Sequence, residues 1–294
     1  MAYIIKIIMI FKSLKNFAAF KVNGYFVIKN FLNNSQQIQL IDYYNELNLF
    51  ADETISTYGF YTNIKEGITT DKNKEIDVFI TKVCLPSLQK FFKRFQIGGG
   101  IFLLKGVGEK IVPLHQDWNI VDETTSFSFS VWCPLVDVDT NNGCLHVIPG
   151  SHNWFNNIRS SNIDSVFMPI DRIKNGLVPL PIEKGDAVVF AHSLFHGSKP
   201  NKSNSTRPAL CLSILPDNTK SVHFLRDGDE VKLLESKSHY NLTNLYKELN
   251  NEELIVSKLP FKDEYLLTEE RFWKKYNQFS LIRTFAKWVN CIYK

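Results

Sequence analysis

One short polar motif, His115-Gln116-Asp117, combines two side-chain types that bind metal ions. In a strand, residues i and i+2 project from the same face, so the sequence predicts that this imidazole and this carboxylate reach one ion. A third ligand must come from elsewhere, and the segment 192–197 supplies two candidates, His192 and His196. Two imidazoles and one carboxylate that leave other positions open are typical of non-haem Fe(II) oxygenases. The alternative for the triplet alone is a polar pair near a turn.

Arg207 strengthens the metal interpretation, because it follows His196 by eleven residues and begins a predicted strand. A buried guanidinium needs an anionic partner, and its planar fork binds a carboxylate through two hydrogen bonds. The distal carboxylate of 2-oxoglutarate is a partner of this kind. The alternative is a surface charge beside the polar loop 201–206.

The elements around these residues are mainly short strands. Runs of β-branched and aromatic residues between turn residues predict a sandwich or jelly roll. The predicted strands are 101–105, 114–118, 127–138, 144–148, 187–191 and 209–215. We therefore expect His115 and Asp117 to share one strand, with Arg207 at the start of another.

Helices are predicted to flank this β core. A strand at 24–30 precedes a helix that begins near Asn33, and a second helix covers about 74–95, where Pro86 should break or kink it. After residue 216 the pattern is mostly helical, and an amphipathic helix at 269–293 is expected to cover the barrel rather than bind a membrane. The sequence thus predicts one domain over 1–294, with a jelly-roll core at about 98–216, an N-terminal strand and helices at 1–97, and a helical cover at 217–294.

Composition excludes several other classes of protein. Apolar residues make up 44% of the chain, which is enough for a buried core, and the net charge of +4 forms no basic stripe for nucleic acid. The five cysteines are far apart without a C-x-x-C pair, which indicates free thiols in a reducing compartment, and we expect the cytoplasm. The apolar segment 1–11 is too short to span a bilayer and is expected to pack on the domain, so membrane association is not indicated.

Several motifs together resemble the phytanoyl-CoA dioxygenase family across about two thirds of the chain. They occur in the same order and spacing as in that family. The matching pieces are Gly24-Tyr-Phe-Val-Ile, Pro113-Leu-His-Gln-Asp117, Val131-Trp132, Gly143-Cys-Leu-His-Val-Ile-Pro-Gly-Ser-His152, Gly185-Asp-Ala-Val-Val-Phe190, His196-Gly-Ser-Lys-Pro-Asn201 and Arg207-Pro-Ala209.

The resemblance implies a double-stranded β-helix, a cupin-like jelly roll, with Fe(II) bound by His115, Asp117 and His196. It selects His196, which Gly and Ser follow, over His192. It also implies that Arg207 binds the carboxylate of 2-oxoglutarate. Trp132, Ser198 and Lys105 would line the same cosubstrate pocket. Asn119 shares the predicted strand face of the two metal ligands and is a candidate substrate contact.

The activity that the resemblance implies uses 2-oxoglutarate and O2 as cosubstrates and releases succinate and CO2. Hydroxylation of an unactivated C–H bond is expected, because Asp117 fills the position that chloride takes in halogenating relatives; desaturation and ring formation stay open. The substrate is a small molecule, free or tethered to a carrier. Loops 52–72 and 153–176 are candidate mouth loops, where Arg159, Arg172 and Lys174 are interpreted as solvated surface. The sequence gives no indication of oligomeric state.

Three other functions fit parts of the sequence. A metal-dependent hydrolase or isomerase on a cupin-like barrel could use the same metal ligands, but it leaves Arg207 without a role. An inactive binding module would have lost a metal ligand or the arginine, and this chain has all four residues. A membrane-associated scaffold would use the apolar N-terminus and the amphipathic C-terminus.

Overall fold

The computed structural model of the chain describes residues 10–48, 61–62, 70–108, 110–163, 165–235 and 255–292. In chain order the helices and strands are α1 (Leu14–Asn23), β1 (Tyr25–Ile28), α2 (Asn34–Leu47), β2 (Tyr61–Thr62), α3 (Thr70–Phe91), β3 (Phe95–Lys105), β4 (Val112–His115), β5 (Phe129–Pro134), β6 (Leu145–Val147), β7 (Val178–Leu180), β8 (Ala187–Ala191), β9 (His196–Ser198), β10 (Arg207–Pro216), β11 (Val222–Asp227), β12 (Glu230–Glu235), β13 (Ile255–Pro260) and α4 (Glu269–Ile292).

Two antiparallel sheets form the centre of the molecule. The first has the strand order β1-β8-β5-β10-β3-β2, and the second has the order β4-β9-β6-β7. One apolar cluster contains side chains of both sheets, with Val131 and Val189 from the first and Leu145 and Val147 from the second. This arrangement is a double-stranded β-helix, so the predicted jelly-roll fold is confirmed.

Helix α2 begins where the sequence predicts, whereas α3 begins at Thr70, before the predicted start near residue 74, and α1 was not predicted. The N-cap of α2 is Asn33, which forms a capping box with Gln36. Helix α3 runs through Pro86 and ends at Phe91, so the prediction of a break was wrong. Ile80 and Leu88, on either side of the proline, are fully buried. Burial of this apolar face offsets the roughly 3 kcal/mol that an internal proline costs.

The C-terminal region differs from the helical cover that the sequence predicts. Among the described residues after 216, strands β11, β12 and β13 form a three-stranded antiparallel sheet, and α4 is the one long helix. Alternate residues of β11, Val222 and Phe224, pack with Ile158 and Ile163 of the preceding loop. A period of two in so short a run is hard to distinguish from a helical pattern, which explains the error.

Helix α4 covers the second sheet, as predicted. Its residues Phe272 and Tyr276 pack in one cluster with Leu114 of β4 and Phe195 before β9. The rings of Phe195 and Phe272 lie 5.0 Å apart, centre to centre. The outer part of the predicted apolar face, from 281 onwards, lies outside the described side chains.

The N-terminal segment is described only from residue 10. Ile10 and Phe11 are buried in the main apolar cluster. Residues 1–9, which are also expected to pack on the domain, lie outside the described residues. Within the described ranges, every helix is too short or too polar to cross a bilayer. Cys84, Cys133, Cys144 and Cys211 are free thiols, in agreement with the sequence.

Candidate metal centre

Two of the predicted ligands lie directly opposite each other on neighbouring strands. Strand β4 pairs with β9, and His115 is the register partner of His196. Directly opposed residues in an antiparallel pair project from the same face. The two imidazole rings lie 4.3 Å apart, centre to centre.

The carboxylate of Asp117 lies near both imidazoles, although Asp117 belongs to an irregular segment after β4. The predicted strand 114–118 ends at His115, so the expectation that both residues share a strand was wrong. Even so, the Oδ1 atom of Asp117 lies 3.8 Å from Nε2 of His115 and 3.6 Å from Nε2 of His196. These distances are too long for hydrogen bonds. The three ligand atoms all lie within 4.8 Å of one another and could hold one metal ion.

The protein backbone orients both histidines for metal binding. Nδ1 of His115 lies 2.8 Å from the carbonyl oxygen of Pro113, and Nδ1 of His196 lies 3.0 Å from that of Leu194. A carbonyl can only accept, so each Nδ1–H donates and each Nε2 keeps its lone pair toward Asp117. A hydrogen bond from the ring nitrogen that does not face the metal to a backbone carbonyl is typical of metal-binding histidines.

The charge states also suit a metal ion. Burial, with His196 as the next cause, lowers the pKa of His115 to about 4, so its imidazole is neutral at pH 7. Burial by itself raises the pKa of Asp117, but His196, His192, His115 and Arg159 reverse this effect, and the pKa is lowered overall. Neutral imidazoles and an ionised carboxylate are the ligand forms that metals require.

The structure separates His192 from His196, which the sequence alone could not. Nδ1 of His192 lies 2.8 Å from the hydroxyl of Ser128, and its backbone oxygen accepts the N–H of Asp117 at 2.9 Å. Among the described residues, the cluster that could hold an ion comprises His115, Asp117 and His196. His192 supports the main chain of one ligand instead.

Arg207 and Lys105 form a buried pair of basic side chains on the first sheet. They are register partners on β10 and β3, with 4% and 1% of their surfaces exposed. The guanidinium of Arg207 lies over the ring of Trp132, 5.1 Å from its centre. Burial lowers the pKa of Arg207 to about 10, and burial together with Arg207 lowers the pKa of Lys105 to about 7. The part of the Lys105 shift that Arg207 causes is repulsion between two positive charges, which a negatively charged ligand would relieve.

Buried polar atoms of Arg207 and Ser198 that lack partners among the described residues point to a ligand with several oxygens. Within the described part of the chain, Nε and Nη1 of Arg207 and Oγ of Ser198 are buried without a hydrogen-bond partner. Buried groups of this kind are rare in proteins, because each one costs free energy. Ser198 follows His196 by two residues in β9, so both side chains project from the same face. A carboxylate ligand fits this donor set.

Asn119 is engaged with the backbone of another residue. Its Oδ1 atom accepts the N–H of Arg159 at 2.6 Å, and its own N–H donates to the carbonyl oxygen of Arg159 at 3.1 Å. The substrate contact suggested for Asn119 stays a prediction.

The sequence interpretation missed two residues next to the metal ligands. Arg159, expected on the solvated surface, is 0% exposed and donates from Nε to the carbonyl oxygen of Asp117 at 2.7 Å. Phe167 is 47% exposed and stacks on the ring of His115, with centres 5.6 Å apart and planes 7° from parallel. Both residues lie in the loop predicted at the mouth, but no sequence pattern links either one to its partner.

Comparisons with a family model and with curated proteins point to the same family. The model of the phytanoyl-CoA dioxygenase family matches residues 20–209. Phytanoyl-CoA dioxygenase 1 of Oryza sativa subsp. japonica is 30% identical over 169 residues, which cover 48% of this chain and 59% of the relative. The peroxisomal phytanoyl-CoA dioxygenase of Bos taurus is 27% identical over 232 residues, which cover 67% of each chain. The chain thus spans about three fifths to two thirds of these two relatives.

A solved structure shows the same fold. HygX from Streptomyces hygroscopicus, crystallised with nickel and 2-oxoglutarate bound, is 13% identical and superimposes with a TM-score of 0.52. The superposition covers 69% of this chain and 87% of HygX.

Proposed function

The chain belongs to the phytanoyl-CoA dioxygenase family, and from this premise we propose that it is a dioxygenase that depends on Fe(II) and 2-oxoglutarate. It hydroxylates an unactivated C–H bond of a small-molecule substrate. The observation that carries this proposal is the pairing of two sites. The protein contains both a cluster of two histidines and one aspartate and a buried arginine whose Nε and Nη1 atoms lack partners in the described part of the chain.

The residues present fit the groups that this reaction needs. His115, Asp117 and His196 would hold Fe(II), since two imidazoles and one carboxylate suit iron and leave positions for other ligands. Arg207 and Ser198 would hold a carboxylate of 2-oxoglutarate. Bound there, iron, 2-oxoglutarate and O2 supply the oxidation, with release of succinate and CO2. The protein supplies the orientation and the charges.

Asp117 favours hydroxylation among the possible outcomes. Its carboxylate points at the same place as both Nε2 atoms, so the third protein ligand is present. A halide would need that position for itself. Ser130 helps to orient the carboxylate, because its hydroxyl donates to Oδ2 of Asp117 at 3.4 Å.

Phe167 gives some information about the substrate. Its half-exposed ring lies on His115, so a substrate that approaches the metal passes an apolar surface. This contact supports a substrate with an apolar portion near the reacting carbon. The names of the curated relatives suggest an acyl-CoA, but an apolar portion fits a free or a carrier-tethered molecule equally well.

A metal-dependent hydrolase or isomerase is the second candidate, because zinc accepts the same ligands. The buried Arg207 separates the two functions, since a hydrolase needs no carboxylate-binding arginine beside its metal. Anaerobic titration of 2-oxoglutarate into protein loaded with Fe(II) tests this difference. We expect the visible charge-transfer absorption of an iron–2-oxoglutarate complex, followed by succinate when O2 is admitted.

Two variants make this titration specific. Asp117→Ala should lose both signals, whereas Asp122→Ala, which removes a carboxylate five residues away on an exposed turn, should keep them. A wild-type protein that binds Fe(II) but shows neither absorption nor succinate would favour the hydrolase or isomerase.

A further inference from the structure

The main chain of Asp117 needs a support other than the sheet. Strand β4 ends at His115, so the ladder of hydrogen bonds does not include Asp117. Two contacts hold its peptide groups instead. Its N–H donates to the carbonyl oxygen of His192 at 2.9 Å, and its carbonyl oxygen accepts from Nε of Arg159 at 2.7 Å.

Arg159 binds several parts of this irregular segment at once. Its Nη2 atom donates to Oε1 of Glu123 at 2.6 Å, and Nη1 donates to the carbonyl oxygen of Asn157 at 3.1 Å. Its backbone exchanges two hydrogen bonds with Asn119. The side chain is 0% exposed, and a buried guanidinium persists only when it is paired and hydrogen-bonded in this way. Arg159 therefore connects residues 117, 119 and 123.

The C-terminal sheet holds Arg159 in place. Ile158, the preceding residue, packs in one cluster with Val222 and Phe224 of β11, and its N–H donates to the carbonyl oxygen of Tyr265 at 3.2 Å. The N–H of Val222 donates to the carbonyl oxygen of Ile120 at 3.0 Å. These C-terminal residues lie beyond residue 209, where the match to the family model ends.

We propose that Arg159, paired with Glu123, is a positioning residue that fixes the main chain of Asp117 and thereby sets the geometry of the metal site. Its guanidinium hydrogen-bonds the main chain of Asp117, so we expect it to act on the metal site through Asp117. This inference rests on the proposed function only for the identity of the metal ion. The affinity of the protein for any divalent metal ion is sufficient to test the role of Arg159.

The test measures the affinity of metal-free protein for Mn(II) by isothermal titration calorimetry. Removing a residue that hydrogen-bonds a metal ligand typically weakens metal binding by about 10–100-fold, and we expect a loss of this size for Arg159→Met. Arg172→Met is the matched control. Arg172 lies in the same loop and pairs with Glu269 at 2.6 Å, so its loss perturbs the loop without touching Asp117. We expect Arg172→Met to bind Mn(II) like the wild type.

A double-mutant cycle with Glu123→Gln separates positioning from a general loss of structure. Glu123→Gln keeps an oxygen acceptor for Arg159 but removes the charge, so it should weaken Mn(II) binding several-fold. If Glu123 acts through Arg159, the same substitution should have no further effect in Arg159→Met. The electron paramagnetic resonance spectrum of bound Cu(II) should change in Arg159→Met and stay unchanged in Arg172→Met.

Four results would overturn the proposal. Folded Arg159→Met with wild-type affinity for Mn(II) would do so, and so would an equal loss in Arg172→Met. If Arg159→Met does not fold, Glu123→Gln decides: weaker binding supports the proposal, and wild-type binding refutes it. A wild-type protein that binds no Mn(II) would refute the proposed function and the inference together. If the wild type binds Mn(II) and folded Arg159→Met binds it equally well, the inference alone is refuted.

Discussion

At the scale of single residues, the metal centre depends on which nitrogen of each histidine carries the proton. Backbone carbonyl groups accept from Nδ1 of His115 and of His196, so both Nε2 lone pairs face Oδ1 of Asp117. Asp117 is the charged ligand of this set, and its pKa is lowered by the surrounding histidines and Arg159 against the effect of burial. The carboxylate should therefore contribute more to metal affinity than either neutral imidazole.

Asp117→Ala should abolish detectable Mn(II) binding at micromolar concentrations of metal. The substitution leaves two imidazoles, which carry no negative charge to neutralise that of a divalent ion. Calorimetric titration measures the loss, and circular dichroism checks that the variant is folded. Binding of Mn(II) with wild-type affinity would remove Asp117 from the metal site.

The pKa of about 7 at Lys105 predicts a pH-dependent affinity for 2-oxoglutarate. Below pH 7 the protonated amine adds positive charge beside Arg207, and above pH 7 the free protein must take up a proton to provide it. The dissociation constant of Mn(II)-loaded protein for 2-oxoglutarate should thus rise several-fold between pH 7 and 8.5. Lys105→Met should bind more weakly at pH 7 and show a flatter profile. An unchanged profile in this variant would show that Lys105 plays no part.

At the scale of elements, a buried carboxyl group joins helix α3 to strand β3. Oδ1 of Asp77 accepts the N–H of Gly100 at 2.5 Å and the hydroxyl of Thr81 at 3.2 Å. Burial raises the pKa of Asp77 to about 6, despite these two hydrogen bonds. The folded state is therefore more stable when the carboxyl group is protonated, because burial disfavours its charge more than the two hydrogen bonds favour it.

Asp77→Asn should stabilise the protein at neutral pH and not at acid pH. Because the pKa in the folded state is raised, the stability that this group contributes is complete below about pH 4 and is lost as the pH rises through 6. The difference in free energy of unfolding between variant and wild type should grow by about 1–3 kcal/mol from pH 4 to pH 7.5. Urea denaturation at both pH values measures it. The exposed Asp71→Asn in the same helix should show no such trend, and a flat difference for Asp77→Asn would contradict the raised pKa.

The turn before β6 should tolerate no side chain at Gly143. A Cβ atom there would lie 2.7 Å from Cε of Lys105 and 2.9 Å from the carbonyl oxygen of Lys199, at a φ of +80°. Gly228→Ala is the matched control, since its φ is +59° and nothing described lies within 4 Å. Gly228→Ala should cost about 1–2 kcal/mol of unfolding free energy, from backbone strain alone. Gly143→Ala should cost more and should also weaken 2-oxoglutarate binding; equal costs would contradict the contact with Lys105.

The strands and loops that carry the candidate site residues differ in how well the sequence predicts them. His115, His196 and Arg207 were predictable, because family motifs fix their spacing. Strand β9 was not predicted, since three residues that include Gly197 carry no periodic pattern. Arg159 was not predictable either, because its partners Asp117 and Glu123 are 42 and 36 residues away in the chain and only the fold brings them together.

At the scale of the whole molecule, the C-terminal region packs against the elements that carry the candidate metal ligands. Helix α4 packs on the outer face of the second sheet through Phe272, beneath the strand that carries His115. Strand β11 packs on the loop that carries Arg159. The match to the family model covers the barrel and its ligands up to residue 209, and the C-terminal elements add packing to the loops around them.

The most direct test of the central claim is the thermal stability of metal-free protein under anaerobic conditions, with Mn(II) and with or without 2-oxoglutarate. A ligand that binds only the folded state stabilises it by about 2.7 kcal/mol at one hundred times its dissociation constant, which amounts to a few degrees for a chain of this size. We expect Mn(II) to raise the midpoint, and 2-oxoglutarate to raise it further only when Mn(II) is present. Arg207→Met should keep the first shift and lose the second, while Arg172→Met keeps both. Stabilisation by Mn(II) with no effect of 2-oxoglutarate on the wild type would contradict the account and favour a metal hydrolase or isomerase.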